Sequence, residues 1–290
     1  MQPSLLRTPE KEPRACHPQF GLQEADIILI SSNDTAYRVP HFTLRNTSGF
    51  FRNHLSGYSA GVDTHPPIEI AESDKVLSKV LCMICGLHTD NWESIDEVDD
   101  ALALAQKWDA PGPLSTIRGA ITAPMFLADP LRLYAIAAKL GWDEETRIAA
   151  AQTLSLNLYD EEHRSNLERI PSRSLMALFR LHRKRRDEFK RLVDGDSLNL
   201  FEAGNGPKSF CIGCAGEEVD NHTWRELKAR MFMEMDRRPL GDTLCGLEME
   251  EWPESIACWE AKCGKCGRLN YNKLITLRDI RQCISKLPVF

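Results

Sequence analysis

The sequence has no apolar run approaching the about 18 residues that a membrane-spanning helix needs, so no helical span is expected. Residues 1–20 carry Pro3, Pro9, Pro13 and Pro18, with Leu5–Leu6 as their apolar pair, and so lack a signal-peptide h-region. They are expected to form a disordered leader, and the protein to be cytoplasmic or nuclear. An excess of basic residues is missing too. Lys and Arg number 36 against 42 Asp and Glu, a net charge of -6, which argues against nucleic-acid binding by the whole protein. There is no internal repeat, no low-complexity tract, no His-Glu-x-x-His and no Gly-x-Ser-x-Gly. These absences lower the odds of an enzyme, and the chain is read as non-catalytic.

What is present is enough for real cores: 290 residues, 42% of them apolar. Asp26-Ile-Ile-Leu-Ile-Ser31 and Tyr37-Arg-Val39 read as a strand hairpin across Asn33–Ala36. Residues 41–55 read as a helix pair broken near Ser48–Gly49, Pro66–Ile70 as a third strand, and 74–86 as an apolar helix. Val98, Ala101, Leu102, Ala105 and Trp108 mark a helix that Pro111-Gly-Pro113 should end. Asp129, Pro130 and Gly141 fit the N-cap, first position and C′ position of another helix. Asp143 and Ser172 fit further N-caps, the latter for a helix running to about Asp194. Strands interleaved with helices, then helices alone, define an α+β protein. The expected division is a leader over 1–20, an α+β domain over 21–123, a helical extension over 124–195, a linker over 196–209 and a cysteine-bearing module over 210–290.

Within that first domain, Asp26, Val39, His41, Leu44, Ser48, Phe50 and Phe51 stand in a pattern that resembles the BTB/POZ family. The resemblance is to the fungal BTB group, and Asp129 to Trp142 is similar to the helical segment that follows the domain there. It implies short strands with surrounding helices, structural roles for Asp26, His41, Phe50 and Phe51, and a binding role: docking of protein partners or a homodimer through the BTB-like domain. A cullin-type ubiquitin-ligase adaptor is the family's other implication, although no clear cullin-binding signature is present. Gly49 departs from the family, which often has Pro there, and should loosen the helix break.

Ten cysteines without a secretory address read first as buried thiols, metal ligands or nucleophiles. Cys211-Ile-Gly-Cys214 and Cys263-Gly-Lys-Cys266 each put two thiols on one turn, and together they could form a closed structural zinc site. Lys265 and Arg268 could offset its negative charge. The pairs lie 48 residues apart, wider than the common spacing, so buried reduced cysteines remain the competing reading and a redox pair a minor one. Cys258, Cys245 and His222 are reserve ligands, Cys258 first. Cys82-Met-Ile-Cys85 has the same spacing on an apolar helix, where core packing is the better reading.

Two basic stretches need weighing. Arg183-Lys-Arg-Arg186 reads as a solvated helix face, with nuclear import or an acidic partner as the sharper alternative. Residues 262–286 hold seven Lys and Arg against Asp279 alone, but 210–290 as a whole holds twelve basic and thirteen acidic residues. A transcription or chromatin factor using that surface is therefore the second functional reading, and nucleic acid the less favoured partner.

Overall fold

The computed structural model describes residues 15–21, 25–57, 66–195, 201, 205, 208–211, 213–214 and 217–289. Mixed strands and helices make it an α+β protein. The chain divides into two compact units, one ending at Phe126 and the other beginning at Leu127.

In the first unit, β1 (Ile27–Ile30) pairs antiparallel with β2 (Ala36–Val39), and β3 (Ile68–Glu69) lies parallel to β1, giving the order β2-β1-β3. The β-branched run of β1 suits a pleated, buried surface. Opposite it, Tyr37 and Val39 are fully buried. Asp34 takes a left-handed φ of 63° in the connecting turn, a conformation Asp tolerates better than most residues. Tyr37 donates to Asp74 Oδ1 at 3.1 Å, tying the sheet to the start of α3 (Asp74–Cys85).

Helices α1 (His41–Thr47) and α2 (Gly49–His54) break at Ser48, as the sequence predicts. The reason is local. The Ser48 hydroxyl accepts from Phe51 N–H and donates to the Trp108 carbonyl at 2.6 Å, so one side chain caps α2 and fastens it to the end of α4 (Ile95–Lys107). Gly49 does not loosen this break. Its N–H donates to Asp109 O at 2.9 Å, which a proline could not do, and a Cβ there would meet Asp109 Oδ2 at 1.9 Å.

α4 ends before Pro111, as expected, and Pro111 to Pro113 also open a new helix. α5 (Pro111–Ala120) starts with Pro111 in its first turn, where the missing N–H costs nothing. A short turn, α6 (Pro124–Leu127), spans the division between units.

In the second unit, α7 (Pro130–Leu140) has the expected ends: Asp129 accepts from Arg132 N–H, and Gly141 closes the helix at φ 69°. α8 (Asp143–Thr153) and α10 (Ser172–Val193) instead take Asp143 and Ser172 as first helical residues, with Trp142 and Pro171 as caps. The single turn α9 (Arg164–Leu167) lies between them. The cysteine-bearing segment supplies strands β4 (Lys208–Phe210) and β5 (Glu218–Asp220), then α11 (His222–Arg237), α12 (Leu247–Glu250), α13 (Pro253–Glu260) and α14 (Lys273–Ser285).

The helical extension and this segment, read separately from sequence, share one core. Phe189, Leu192 and Val193 of α10 pack with Trp224, Leu227, Met231 and Met235 of α11, and with Ile280 and Cys283 of α14. The stretch between them is more than a linker. Most of 196–209 lies outside the described residues, but Phe201 is buried and stacks on Trp224 with ring centroids 5.1 Å apart. Asn205 donates to Val193 O and accepts from Trp224 Nε1 and Lys228 Nζ. Among the described residues, no helix is long and apolar enough to cross a membrane.

Candidate metal centre

Cys211, Cys214, Cys263 and Cys266 come together with all four Sγ atoms within 4.8 Å of one another. Local hairpins do this. β4 pairs antiparallel with β5, Phe210 opposite Glu218, and Cys211 N–H donates to Glu217 O just beyond that pair. The first knuckle therefore sits at the end of a two-stranded hairpin. The second is framed by an isolated antiparallel bridge, Lys262 to Leu269, and by Cys263 N–H donating to Arg268 O. Gly267 takes a φ of 71° inside it, a conformation that glycine adopts without strain.

Sequence reasoning missed the residue that holds the two knuckles in register. Asn221 is fully buried between β5 and α11, and its Oδ1 accepts from Ser209 and from the Tyr271 hydroxyl at 2.9 Å. Ser209 precedes the first knuckle and Tyr271 follows the second. An Asn beside two cysteine pairs carries no motif signal, so only the fold shows its role.

The geometry crosses the knuckles. Cys211 Sγ lies 3.6 Å from Cys266 Sγ, and Cys214 Sγ lies 3.5 Å from Cys263 Sγ. A tetrahedral ion with Zn–S bonds of about 2.3 Å would place its sulfurs about 3.8 Å apart. The four thiols fit such an ion with small adjustments.

The electrostatics favour a cation there. The Gly213 N–H, 3.3 Å from Cys211 Sγ, helps hold that thiol down to about 6. Backbone N–H groups of Cys266 and Lys265 lower Cys263 in the same way. Cys214 is pushed up to about 12, first by its hydrogen bond to Cys263 and then by burial. Crowded thiols cannot all ionise alone. A divalent cation among them removes that conflict. The Arg268 stem lies across Gly213, where a Cβ would meet its Cδ at 2.6 Å, so a guanidinium sits close to the cluster.

The reserve ligands are elsewhere. Cys258 is fully buried on α13, and burial raises its thiol to about 12. Cys245 points at the Leu277 carbonyl, and His222 Nδ1 lies 3.4 Å from Asp220 Oδ2. Cys82 is buried on α3 with Gln19 Oε1 3.2 Å from its sulfur. A second group, Asp160, Glu162 and His163, could also approach a cation, but its two acids are exposed and no other feature marks it as a site.

The residues singled out in the first unit take different places. Asp26 Oδ1 accepts the His41 N–H at 2.6 Å, holding the start of α1. His41 Nε2 is buried without a hydrogen-bond partner. Phe51 is fully buried, edge-on to Trp108. Phe50 is 37% exposed and stacks on His54, so it is a surface residue and not core.

No protein-family model matches the chain, and no curated protein matches it.

Proposed function

We propose that the chain is a non-catalytic adaptor or scaffold for protein–protein interaction. Its first unit is built like a BTB/POZ domain, and its second is organised by a structural zinc ion. The single observation that carries the zinc reading is the convergence of four cysteine sulfurs within 4.8 Å across two knuckles. Four thiolates fill a tetrahedral shell, which leaves no open position for a substrate or an activated water, so the ion's role is structural. Sulfur ligands and tetrahedral spacing favour zinc over harder cations.

The adaptor reading rests on the resemblance. It is supported by the order of β1, β2, α1, α2, β3, α3 and α4, and by Asp26, Ser48 and Phe51 acting as local fasteners. No separate observation favours a chromatin factor. Within the basic 262–286 segment, Lys273 and Arg278 pair with Glu250 and Asp279, and Arg281 donates to the Cys245 carbonyl.

The test is metal analysis and light scattering on the full chain purified without added zinc. About one zinc per chain is expected, lost in Cys211→Ser/Cys266→Ser. Absence of bound metal with four freely reactive thiols would overturn the zinc reading. A strictly monomeric chain that retains no specific protein partner through its first unit would sink the adaptor reading.

A further inference from the structure

The basic cluster on α10 is not a uniform solvated face, and the surface around it has a shape. α10 carries eight Lys and Arg against Asp187 and Glu188, in a chain whose net charge is -6. One of the eight, Arg185, is buried and faces inward. Arg180, Arg183, Lys184 and Lys190 remain exposed.

Beside them is a cavity of about 300 Å³ floored by buried Leu158 and half-buried Phe179. Tyr159, 75% exposed, leans over Phe179 with ring centroids 5.7 Å apart. His182, Arg183, Arg186 and Asp236 complete its lining. The volume is at the small end of the range for ligand sites and suits one apolar side chain.

Arg186 also bridges to Asp236 on α11, and on the far side of that bridge lies a second recess of about 390 Å³. Half-buried Phe232 and Met233, 63% exposed, line it together with Lys190, whose Nζ lies 5.9 Å above the Phe232 ring. Two recesses, the first of mixed polarity with an aromatic floor and the second largely apolar, thus flank a guanidinium held in place by carboxylates, under the surplus positive charge of α10.

We propose that this surface binds an acidic segment of a partner protein. One apolar side chain enters the Tyr159–Phe179 recess, a second enters the Phe232–Met233 recess, and carboxylates between and beside them face Arg183, Lys184 and Lys190. Charge complementarity selects the acidic partner and speeds its encounter. Asp187 and Asp236 sit at the bridge itself and repel a continuous phosphate backbone, whereas a peptide can space its carboxylates around them. The inference is independent of the metal centre and of the BTB resemblance, since every residue it uses is on α10, α11 or the loop before α9.

The test is fluorescence polarisation with the full-length, zinc-replete chain and a labelled peptide of Glu and Asp carrying two Leu anchors. Saturable binding is expected, weakening as salt rises. Arg183→Glu, Tyr159→Ala and Met233→Asp should each weaken it roughly tenfold or more. All three side chains are largely exposed, and thermal melts will show that the variants fold. A peptide with Lys in place of its acids should not bind. Lack of saturable binding at low salt, or binding indifferent to all three variants, would overturn the proposal. So would displacement by a single-stranded oligonucleotide of equal charge, which would assign the surface to nucleic acid. Metal content measured on the same samples separates these outcomes from failure of the zinc reading.

Discussion

Arg185 shows how much a single residue can do when the fold turns it inward. It lies in the middle of a basic run, yet its guanidinium is buried and meets carbonyls only: Nε to Pro239 O at 2.8 Å, Nη2 to Leu240 O at 3.2 Å, Nη1 to Pro288 O at 2.7 Å. Arg is always charged, so the cost of burial is offset by a planar fork that satisfies several acceptors at once. Arg185→Ala would leave these carbonyls without their donor and should destabilise the second unit by about 3 kcal/mol, read from urea unfolding. Arg185→Lys keeps the charge but lacks the fork and should recover only part of that loss. Equal stability of wild type and Arg185→Ala would refute the clamp. Helical spacing places Arg185 on the apolar stripe, four residues from both Leu181 and Phe189, but the carbonyls that justify burying its charge are not visible in the sequence. The cysteine pairs, by contrast, were legible because their chemistry depends on local spacing. Asn221, Asn205 and Arg185 act through partners dozens of residues away, and such partners leave no trace in a local pattern.

At the scale of elements, capping chemistry was the readable part. Asp129, Gly141 and Ser48 end or begin helices for reasons contained in a few residues. Pro111 was read only as a stop: α4 does end before it, but the same proline also opens the next helix. α14 was missed because its apolar side is interrupted by charged residues, among them Asp279, which is 4% exposed. Contact between α8 and α10 carries a pH dependence. His182 on α10 is 8% exposed, and its Nε2 lies 3.1 Å from Thr153 Oγ1 on α8. Because the Thr153 hydroxyl donates to Ala150 O, its oxygen is left to accept from a neutral imidazole. Burial, reinforced by nearby Arg185, lowers His182 from the usual 6.5 to about 4. The unfolded chain therefore takes up a proton that the folded chain refuses. Stability is full above pH 6.5 and falls as the pH drops toward 4, by about 3 kcal/mol in all. The clustered cysteines gain protons on acidification too, so the comparison must be made with His182→Gln. Urea midpoints should fall more steeply with pH in wild type than in that variant, and parallel profiles would show that His182 contributes nothing.

At the scale of the whole molecule, the division after Phe126 would make metal binding at the proposed site a local matter. Among the described residues, the four-cysteine cluster belongs entirely to the second unit, and the core that includes Trp224 is built from that unit alone. The first unit has its own core around Leu29, Tyr37, Phe51, Leu77 and Trp108. It also has its own buried ion pair, Lys79 to Glu97 at 3.0 Å, with Lys79 bonded to the Asn91 carbonyl. A ligand that binds one folded unit stabilises only the equilibrium it takes part in. Unfolding should then proceed in two transitions, which makes one global free energy meaningless for this chain. Chelation of the metal should lower the transition reported by Trp224 and leave the one reported by Trp108 in place. Hydrogen exchange at the two indole N–H groups, followed with and without a chelator, separates them. If protection at Trp108 collapsed together with that at Trp224, the two units would be folding as one, and a metal at the four-cysteine cluster would be stabilising the entire chain.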